Sequence, residues 1–160
     1  MTDASRSRIY QVIIAVLLLV IVAMAYKFIV AGSTEKTEDG RVAIILEPGE
    51  RALMLREMRD FVVGVQLIAD ALSREDMRAV AKAARTMGAA KTHDVPITMM
   101  GRLPIEFKTL ALGVHSEFDT IGMDAEAFII PKRTLAQLSE VLQKCVACHA
   151  KYRVKAATGL

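Results

Sequence analysis

Apolar residues are unevenly spread along the chain, and their spacing divides it into three parts. Residues 12–25 form an uninterrupted apolar run. Residues 33–49 begin as a polar tether and continue as a short β-branched segment that ends in a Pro-Gly turn. From residue 50 onward, apolar residues recur at intervals of three and four, which is the spacing of amphipathic helices. We therefore predict a membrane-anchor or signal segment at 1–32, a tether and extended lead-in at 33–49, and one helical domain at 50–160.

Four amphipathic stripes account for the helical domain. They comprise Met54, Met58, Phe61, Val65, Ile68 and Leu72; Met77, Val80, Ala81, Ala84 and Met87; Phe107, Leu110, Val114, Phe118 and Ile121; and Leu135, Leu138, Leu142, Cys145, His149 and Tyr152. Four amphipathic helices with this heptad-like spacing are typical of an antiparallel bundle. The expected fold class is all-α, an antiparallel four-helix bundle preceded by an N-terminal hydrophobic helix.

Local signals suggest where these helices begin and end. Ser73 and Asp76 have the spacing of a capping box that opens the second helix, and Pro104 suits the first turn of the third helix. Longer connections are expected at 88–103 and 125–131. The β-branched residues 41–46 could form a strand, but no partner strand is recognisable, so we expect an extended lead-in.

The N-terminal segment carries the features of membrane targeting. Arg6 and Arg8 precede the apolar run, which predicts a cytoplasmic N-terminus and transfer of the following chain across the membrane. Residues 23–25 match the small-x-small pattern of a signal-peptide cleavage site. However, the apolar stretch from Ile9 to Ala31 is long enough to span a bilayer. We expect a retained anchor in the cytoplasmic membrane with the domain in the periplasm, or a periplasmic protein if the segment is cleaved.

Composition and charge narrow the choice of function. Aromatic residues make up only 5% of the chain and tryptophan is absent, which favours packed helices over a β-sandwich. The net charge of +3 arises mainly near the N-terminus. Without Arg6, Arg8, Lys27 and Asp3, the 21 basic and 18 acidic residues become 18 and 17. The near-neutral domain gives no indication of nucleic-acid binding.

Residues 145–149 read Cys-Val-Ala-Cys-His, the attachment signature of a c-type haem. Two thiols at this spacing can add across the vinyl groups of the porphyrin, and the adjacent imidazole becomes an iron ligand. On a helix, positions i, i+3 and i+4 share one face. The motif therefore predicts one covalent haem c, bound through Cys145 and Cys148, with His149 as the proximal iron ligand.

Two other chemistries use paired cysteines, but the sequence favours them less. A structural zinc site needs four ligands, and only His93 and His115 remain to complete one. A thioredoxin-like dithiol requires a βαβ context with the motif opening a helix. The histidine directly after the second cysteine favours haem. His115 is expected beside the inward stripe of the third helix and not on it, and His93 is expected in a loop. Both are therefore expected to be ordinary polar residues.

At this point residues 50–155 resemble the cytochrome c-prime family, the class II c-type cytochromes. The resemblance rests on Cys-x-x-Cys-His-x-x-Tyr-Arg at 145–153 and on the four-helix pattern. It implies that Tyr152 packs near the haem edge and that Arg153 lies close to a propionate, where a guanidinium can donate paired hydrogen bonds. The hydrophobic N-terminal segment and the 33–49 lead-in depart from the family pattern.

The sixth coordination position decides between two functions. The resemblance implies either a methionine ligand from the first helix and electron transfer, or an open site that binds NO or CO. Met58 lies on the inward stripe near the start of the first helix, which an up-down-up-down bundle places beside His149. Met–His ligation suits an electron carrier. Met54, one turn earlier, is a rival ligand, and both methionines could instead fill the core.

The sequence as a whole predicts a monohaem cytochrome that carries single electrons in the periplasm and is tethered to the membrane. A gas-binding cytochrome and a haem subunit of a larger membrane redox complex are the alternatives. Redox proteins are the expected partners, and the resemblance also implies an optional homodimer. We recognise no catalytic triad, phosphate loop or carboxylate pair, so an enzymatic function is not expected. Glu57, Arg59 and Asp60 are expected on the solvated side of the first helix.

Overall fold

Helices make up most of the chain. The computed structural model describes the backbone of residues 3–157 and the side chains of residues 7–157. Within this range the α-helices are α1 (Asp3–Ala25), α2 (Pro48–Ser73), α3 (Met77–Arg85), α4 (Ile97–Arg102), α5 (Ile105–Phe128) and α6 (Pro131–Lys151). A π-helical segment, Tyr26–Ala31, extends α1, and a 3₁₀ helix, Ala89–Asp94, follows α3. The structure is thus predominantly helical with an N-terminal apolar helix, as predicted.

A small sheet was not predicted. Its strands are β1 (Thr34–Lys36), β2 (Val42–Leu46) and β3 (Tyr152–Ala156), in the order β1-β2-β3. β1 is antiparallel to β2, whereas β2 runs parallel to β3 with Val42 opposite Tyr152. The expectation that 41–46 has no partner is therefore wrong, because β2 pairs both with β1 just before it and with β3 from the opposite end of the chain. Tyr152 lies in β3 and not on α6.

One apolar core is shared by α2, α3, α5 and α6, and we call it the helical core. Its buried residues are Ile68, Ala71, Met77, Val80, Ala81, Ala83, Ala84, Met87, Phe118, Ile121, Ala125, Leu138 and Val141. The small alanines of α3 allow its neighbours to approach closely. At Gly64 of α2 an added Cβ atom would overlap the sulfur of Met87, so the turn after α3 packs on α2 where α2 has no side chain.

A second core lies against the sheet, and we call it the sheet-end core. Its buried residues are Ile44, Leu46, Met54, Met99, Leu103, Phe107 and Tyr152. They come from β2, the beginning of α2, α4 and the residue after it, the beginning of α5, and β3. This core therefore gathers segments that are far apart in the sequence.

Several predicted boundaries are displaced. Asp76, and not Ser73, caps α3, because its carboxylate accepts a hydrogen bond from Ala79 N at 3.0 Å. Ser73 is the last residue of α2. The connection expected at 88–103 contains the 3₁₀ helix and α4, and α5 extends to Phe128, so that only residues 129–130 separate it from α6.

The buried face of α6 also differs from the predicted stripe. Leu138 is buried as expected, but Leu135 and Leu142 are exposed. Thr134 and Val141 are buried in their place. The face that packs on the core is therefore rotated by about one position from the leucine stripe.

The N-terminal helix and the domain are joined by a close backbone contact. Residues 7–31 form a continuous helix that is long and apolar enough to span a membrane or to serve as a signal sequence. Gly32 follows with φ of +65°, and a Cβ atom there would lie 2.5 Å from Arg102 O. Ser33 N donates to the same carbonyl at 2.7 Å. Glycine is required both by this backbone conformation and by this contact.

Candidate functional site

The Cys-x-x-Cys-His sequence occupies the last two turns of α6. The helix ends at Lys151, where Tyr152 N donates to Cys148 O and the chain turns directly into β3. Cys145 and Cys148 lie one turn apart on the helix. The two cysteines therefore share a face beside the junction of α6 and the sheet.

The two thiols border different cores. Both are free and half-buried. Cys145 packs against the helical core, and Cys148 packs against the sheet-end core. A group bound to both thiols would lie across the boundary between the two cores, with apolar side chains on each side.

The surroundings favour the neutral thiols. Burial raises the pKa of Cys145, and burial followed by the nearby Cys145 raises the pKa of Cys148. Both residues also lie near the C-terminal end of α6, where the helix dipole disfavours negative charge. Reactive dithiols have the opposite setting, at a helix N-terminus or beside cations that lower the pKa.

His149 is exposed on the last turn of α6. Within residues 7–157, no three side chains of His, Cys, Asp or Glu gather around a common point where they could hold a metal ion, the motif's own included. A closed zinc site needs such convergence. Haem attachment does not, because the thioethers form at the porphyrin edge while the imidazole reaches the central iron. The donor set at 145–149 therefore fits a covalently attached haem.

Both candidate methionine ligands lie on the first turns of α2. Met54 is buried in the sheet-end core, and Met58 is half-buried against it. Cys148 packs against the same core. The structure thus brings Met54, Met58 and Cys148 to a common apolar region, although Cys148 is far from the two methionines in the sequence.

Tyr152 anchors the junction of α6 and β3. Its side chain is buried, its hydroxyl donates to Glu106 Oε2 at 3.1 Å, and its ring meets Phe107 edge-on with 5.4 Å between centroids. Lys151 Nζ donates to the same carboxylate at 2.5 Å. Hydrogen bonds from Lys151 and then Tyr152 lower the pKa of Glu106. The end of the motif is therefore fixed to the beginning of α5.

Arg153 is exposed on β3 and lies near the turn between β1 and β2. Its guanidinium is 3.4 Å from Asp39 Oδ2. Asp39 also pairs with Arg41 at 2.6 Å, and hydrogen bonds from Arg41 and Thr37 hold the pKa of its carboxyl far below the usual range. The Arg153 pair is long and exposed, so it contributes little to stability, and the guanidinium can exchange one anionic partner for another.

A buried histidine was missed in the sequence. His115 is only 5% exposed and lies on the buried face of α5, not beside it. Its Nδ1 is 2.7 Å from Met87 O and therefore donates to that carbonyl, while Nε2 is 3.4 Å from Glu57 Oε1. Glu57 is consequently not on the solvated side of α2. His115 precedes Phe118 by three positions, and this helical spacing was the available signal.

The charge of His115 depends on competing effects. Burial lowers its pKa, but the hydrogen bonds with Glu57 and Met87 and the charges of Glu57 and Asp119 outweigh burial, so the net pKa is raised. The ring also packs at 5.1 Å from Phe61. His115 on α5 is therefore joined to α2 and to the turn that follows α3. By contrast, His93, Arg59 and Asp60 are exposed.

No protein-family description, curated protein or solved structure matches this chain. The resemblance to the class II cytochromes therefore rests on the motif at 145–153 and the helical pattern, and it stays a prediction.

Proposed function

We propose that this chain is a membrane-anchored monohaem c-type cytochrome that carries single electrons on the periplasmic side of the membrane. The observation that carries the proposal is the Cys-x-x-Cys-His sequence on a half-buried helix face, at the boundary of two apolar cores. An apolar segment at the N-terminus is consistent with the export that periplasmic haem attachment requires.

The proposed architecture is that of the cytochrome c-prime family. Helices α2, α3, α5 and α6 share one core, as the helices of an antiparallel four-helix bundle do. In this arrangement the start of α2 and the end of α6 lie at the same end of the bundle. Both regions contribute to or border the sheet-end core, which supports the proposal.

Three residues would hold the cofactor. Cys145 and Cys148 would form the thioethers, and His149 would bind the iron on its proximal side. When bound, a haem in this setting supplies a one-electron iron couple whose potential depends on the axial ligands and on burial. The half-buried cysteines would hold the porphyrin edge against apolar side chains, which would restrict water on that side. Arg153 would exchange Asp39 for a propionate, and Tyr152 would keep the end of α6 fixed.

Met58 is the proposed sixth ligand, with Met54 as its rival. Both belong to the apolar region that Cys148 borders, and Met58 is the less buried of the two. A half-buried thioether can leave the core surface with less loss of packing than a buried one. The competing function is gas binding at an open iron. It is favoured by the fact that Met54 already lies in the sheet-end core and Met58 packs against that core.

The proposal retains the N-terminal segment as an anchor. The helix continues without interruption through the small-x-small site at 23–25 and reaches Ala31. Beyond it, the backbone at Gly32 contacts residues 102–104 directly. Identification of the N-terminal residue of the mature protein and its dependence on detergent test this part.

The visible spectrum of the purified full chain tests the central claim. We expect a haem that resists extraction by acidified organic solvent, and a low-spin reduced spectrum that carbon monoxide leaves unchanged. The variant with both Cys145→Ala and Cys148→Ala should lose covalent haem, whereas Ser139→Ala, an exposed position on the same helix, should keep it. A wild-type chain without covalent haem would refute the proposal, and ready binding of carbon monoxide would favour the gas-binding function.

The two methionines are separated by matched substitutions. Met58→Ala should convert the low-spin spectrum to a high-spin one that responds to carbon monoxide. Met54→Ala should keep the low-spin spectrum but lower the stability by about 2–5 kcal/mol, because it removes a buried side chain. The reverse pattern would assign the ligand to Met54.

A further inference from the structure

An apolar face surrounds the point where the N-terminal helix meets the domain. It contains a hollow of about 390 Å³ that opens to the outside. Two residues of the hollow come from the end of the N-terminal segment and the others from α4 and the start of α5; they are Phe28, Ile29, Ile97, Met100, Ile105 and Lys108. The hollow is therefore a continuation of the membrane segment onto the domain.

One side chain of this face is much more exposed than the others. Ile97 is 88% exposed, more than any other large apolar side chain in the described part of the chain, and Phe28, Ile29 and Ile105 are also exposed. A single exposed isoleucine is ordinary, whereas a contiguous apolar patch marks a surface that contacts protein or membrane.

The length of the N-terminal helix indicates how deep in the membrane this apolar face lies. The apolar helix from Ser7 to Ala31 has 25 residues and is about 37 Å long at a rise of about 1.5 Å per residue. The hydrocarbon core of a bilayer is about 30 Å thick. The last turn of the helix therefore reaches the boundary between acyl chains and headgroups, and Phe28 and Ile29 lie within that turn.

Two lysine side chains near the end of the N-terminal helix are consistent with a location at the boundary between acyl chains and headgroups. Lys27 Nζ donates to Gly32 O at 2.6 Å, and Lys108 Nζ donates to the carbonyls of Phe28 and Ile29 at 3.2 Å each. Lysine side chains near the ends of membrane helices extend their ammonium groups toward the headgroups while their methylene stems stay in the apolar region. The charges thus mark the headgroup side of the apolar face.

We propose that α4 and the first turn of α5 lie in the periplasmic leaflet of the membrane, with Ile97 and Ile105 inserted among the acyl chains. The lipid surface is the partner of this face because the face is continuous with the spanning helix. Helices at such an interface bury their apolar side about 5–10 Å into the boundary region. This inference rests on the retained anchor of the proposed function. It implies that the domain has a fixed orientation on the membrane and does not swing on a tether.

The absence of tryptophan from the chain provides the test. Ile97→Trp and Ile105→Trp each create a single reporter on the apolar face. Ile129→Trp is the control, because it follows the opposite end of the 24-residue α5, about 36 Å away. Each full-length variant is reconstituted in phosphatidylcholine vesicles with brominated or unbrominated acyl chains. The ratio of tryptophan emission in the two kinds of vesicle measures contact with the acyl chains.

We expect bromine to quench tryptophan at 97 and 105 several times more strongly than tryptophan at 129. Equal emission ratios for the three reporters in protein that floats with the vesicles would overturn the inference while leaving the anchor intact. Failure of the mature protein to float would overturn both. The visible spectrum of the same samples reports haem independently, so a failure of the cytochrome assignment is distinguishable from a failure of membrane contact. Circular dichroism of each variant verifies that the fold is preserved.

Discussion

The helical core and the sheet-end core are built from different kinds of contact. In the helical core, whole helix faces pack against one another, and small residues such as Gly64 and the alanines of α3 set the distances. In the sheet-end core, short segments from the beginning, middle and end of the chain meet around Ile44. The motif at 145–149 lies between the two cores.

Because their contacts differ, the two cores have different roles in the molecule. Helices with regular apolar stripes provide a rigid scaffold, since the apolar stripe of each helix packs against the apolar stripes of neighbouring helices. The sheet-end core contains or borders features of the proposed haem site, which are the candidate iron ligands of α2 and the anchored Tyr152. We therefore expect substitutions in the helical core to act mainly on stability and those in the sheet-end core to act on both stability and site.

The largest effect is expected in the helical core from Phe118→Ala. Phe118 is fully buried and packs on Phe61 at 5.6 Å between centroids. Removing a buried phenylalanine ring costs about 3–5 kcal/mol in the free energy of unfolding. Val62→Ala, at a position that is 71% exposed, should change it by no more than about 0.5 kcal/mol. Denaturant unfolding of the full chain in detergent measures both, and similar losses would contradict the assignment of this core.

Ile44→Ala tests whether the sheet-end core unfolds separately from the helical core. Ile44 is fully buried at the centre of β2, and its truncation should cost about 2–5 kcal/mol. Amide hydrogen exchange should then accelerate more in β3, at 152–156, than in α3, at 77–85, because β3 depends on β2 for its pairing. Equal acceleration in both segments would show that the two cores unfold as one unit.

His115 should make the stability of the helical core depend on pH. Its folded pKa is raised, so its stabilising contribution is complete below its unfolded pKa of about 6.5 and is lost as the pH rises through the folded pKa. Hydrogen bonds of charged groups contribute about 1.5–3 kcal/mol. Unfolding of the wild type between pH 5.5 and 8.5, values chosen to bracket the histidine range, should show a decline that His115→Gln and Glu57→Gln both reduce. An unchanged slope in Glu57→Gln would exclude Glu57 as the partner.

The smallest effect is expected at the surface of the sheet. Lys155 and Glu35 form an exposed pair at 2.6 Å that joins β3 to β1. Exposed ion pairs contribute about 0–1 kcal/mol. Lys155→Ala should therefore shift the denaturation midpoint only slightly, and the shift should vanish at high salt. A loss of stability comparable to that of Ile44→Ala would mean that this exposed pair contributes as much to the free energy of unfolding as the buried centre of the sheet.

The sequence predicted the parts of the molecule that depend on local periodicity. The stripes of α2 and α5 through Phe61 and Phe118 are buried or half-buried as expected, because side chains three and four positions apart share a helix face. The membrane-length helix was likewise evident from composition. The buried face of α6 was predicted incorrectly, because Leu135 and Leu142 have the spacing of an inward stripe but lie on an exposed face.

Non-local pairing could not be predicted in the same way. Residues 41–46 look like a strand, yet nothing in their pattern indicates that residues 152–156 would lie beside them. His115 was misplaced because burial of its ring depends on Glu57 of α2 and on Met87 O in the turn after α3, both of which are far away in the sequence. At the candidate site, the spacing at 145–149 indicated the chemistry, whereas the location of Cys148 on the sheet-end core required the tertiary structure.

The parallel pairing of β2 with β3 also has a consequence for biogenesis. If the domain is exported as proposed, β2 crosses the membrane before any helix of the domain and β3 crosses after all of them, since polypeptides are made from the N-terminus. The edge of β2 that pairs with β3 then stays open until translocation is complete. The motif at 145–149 emerges immediately before the strand that completes the sheet. The proposed attachment of haem there would thus precede the final closure of the domain.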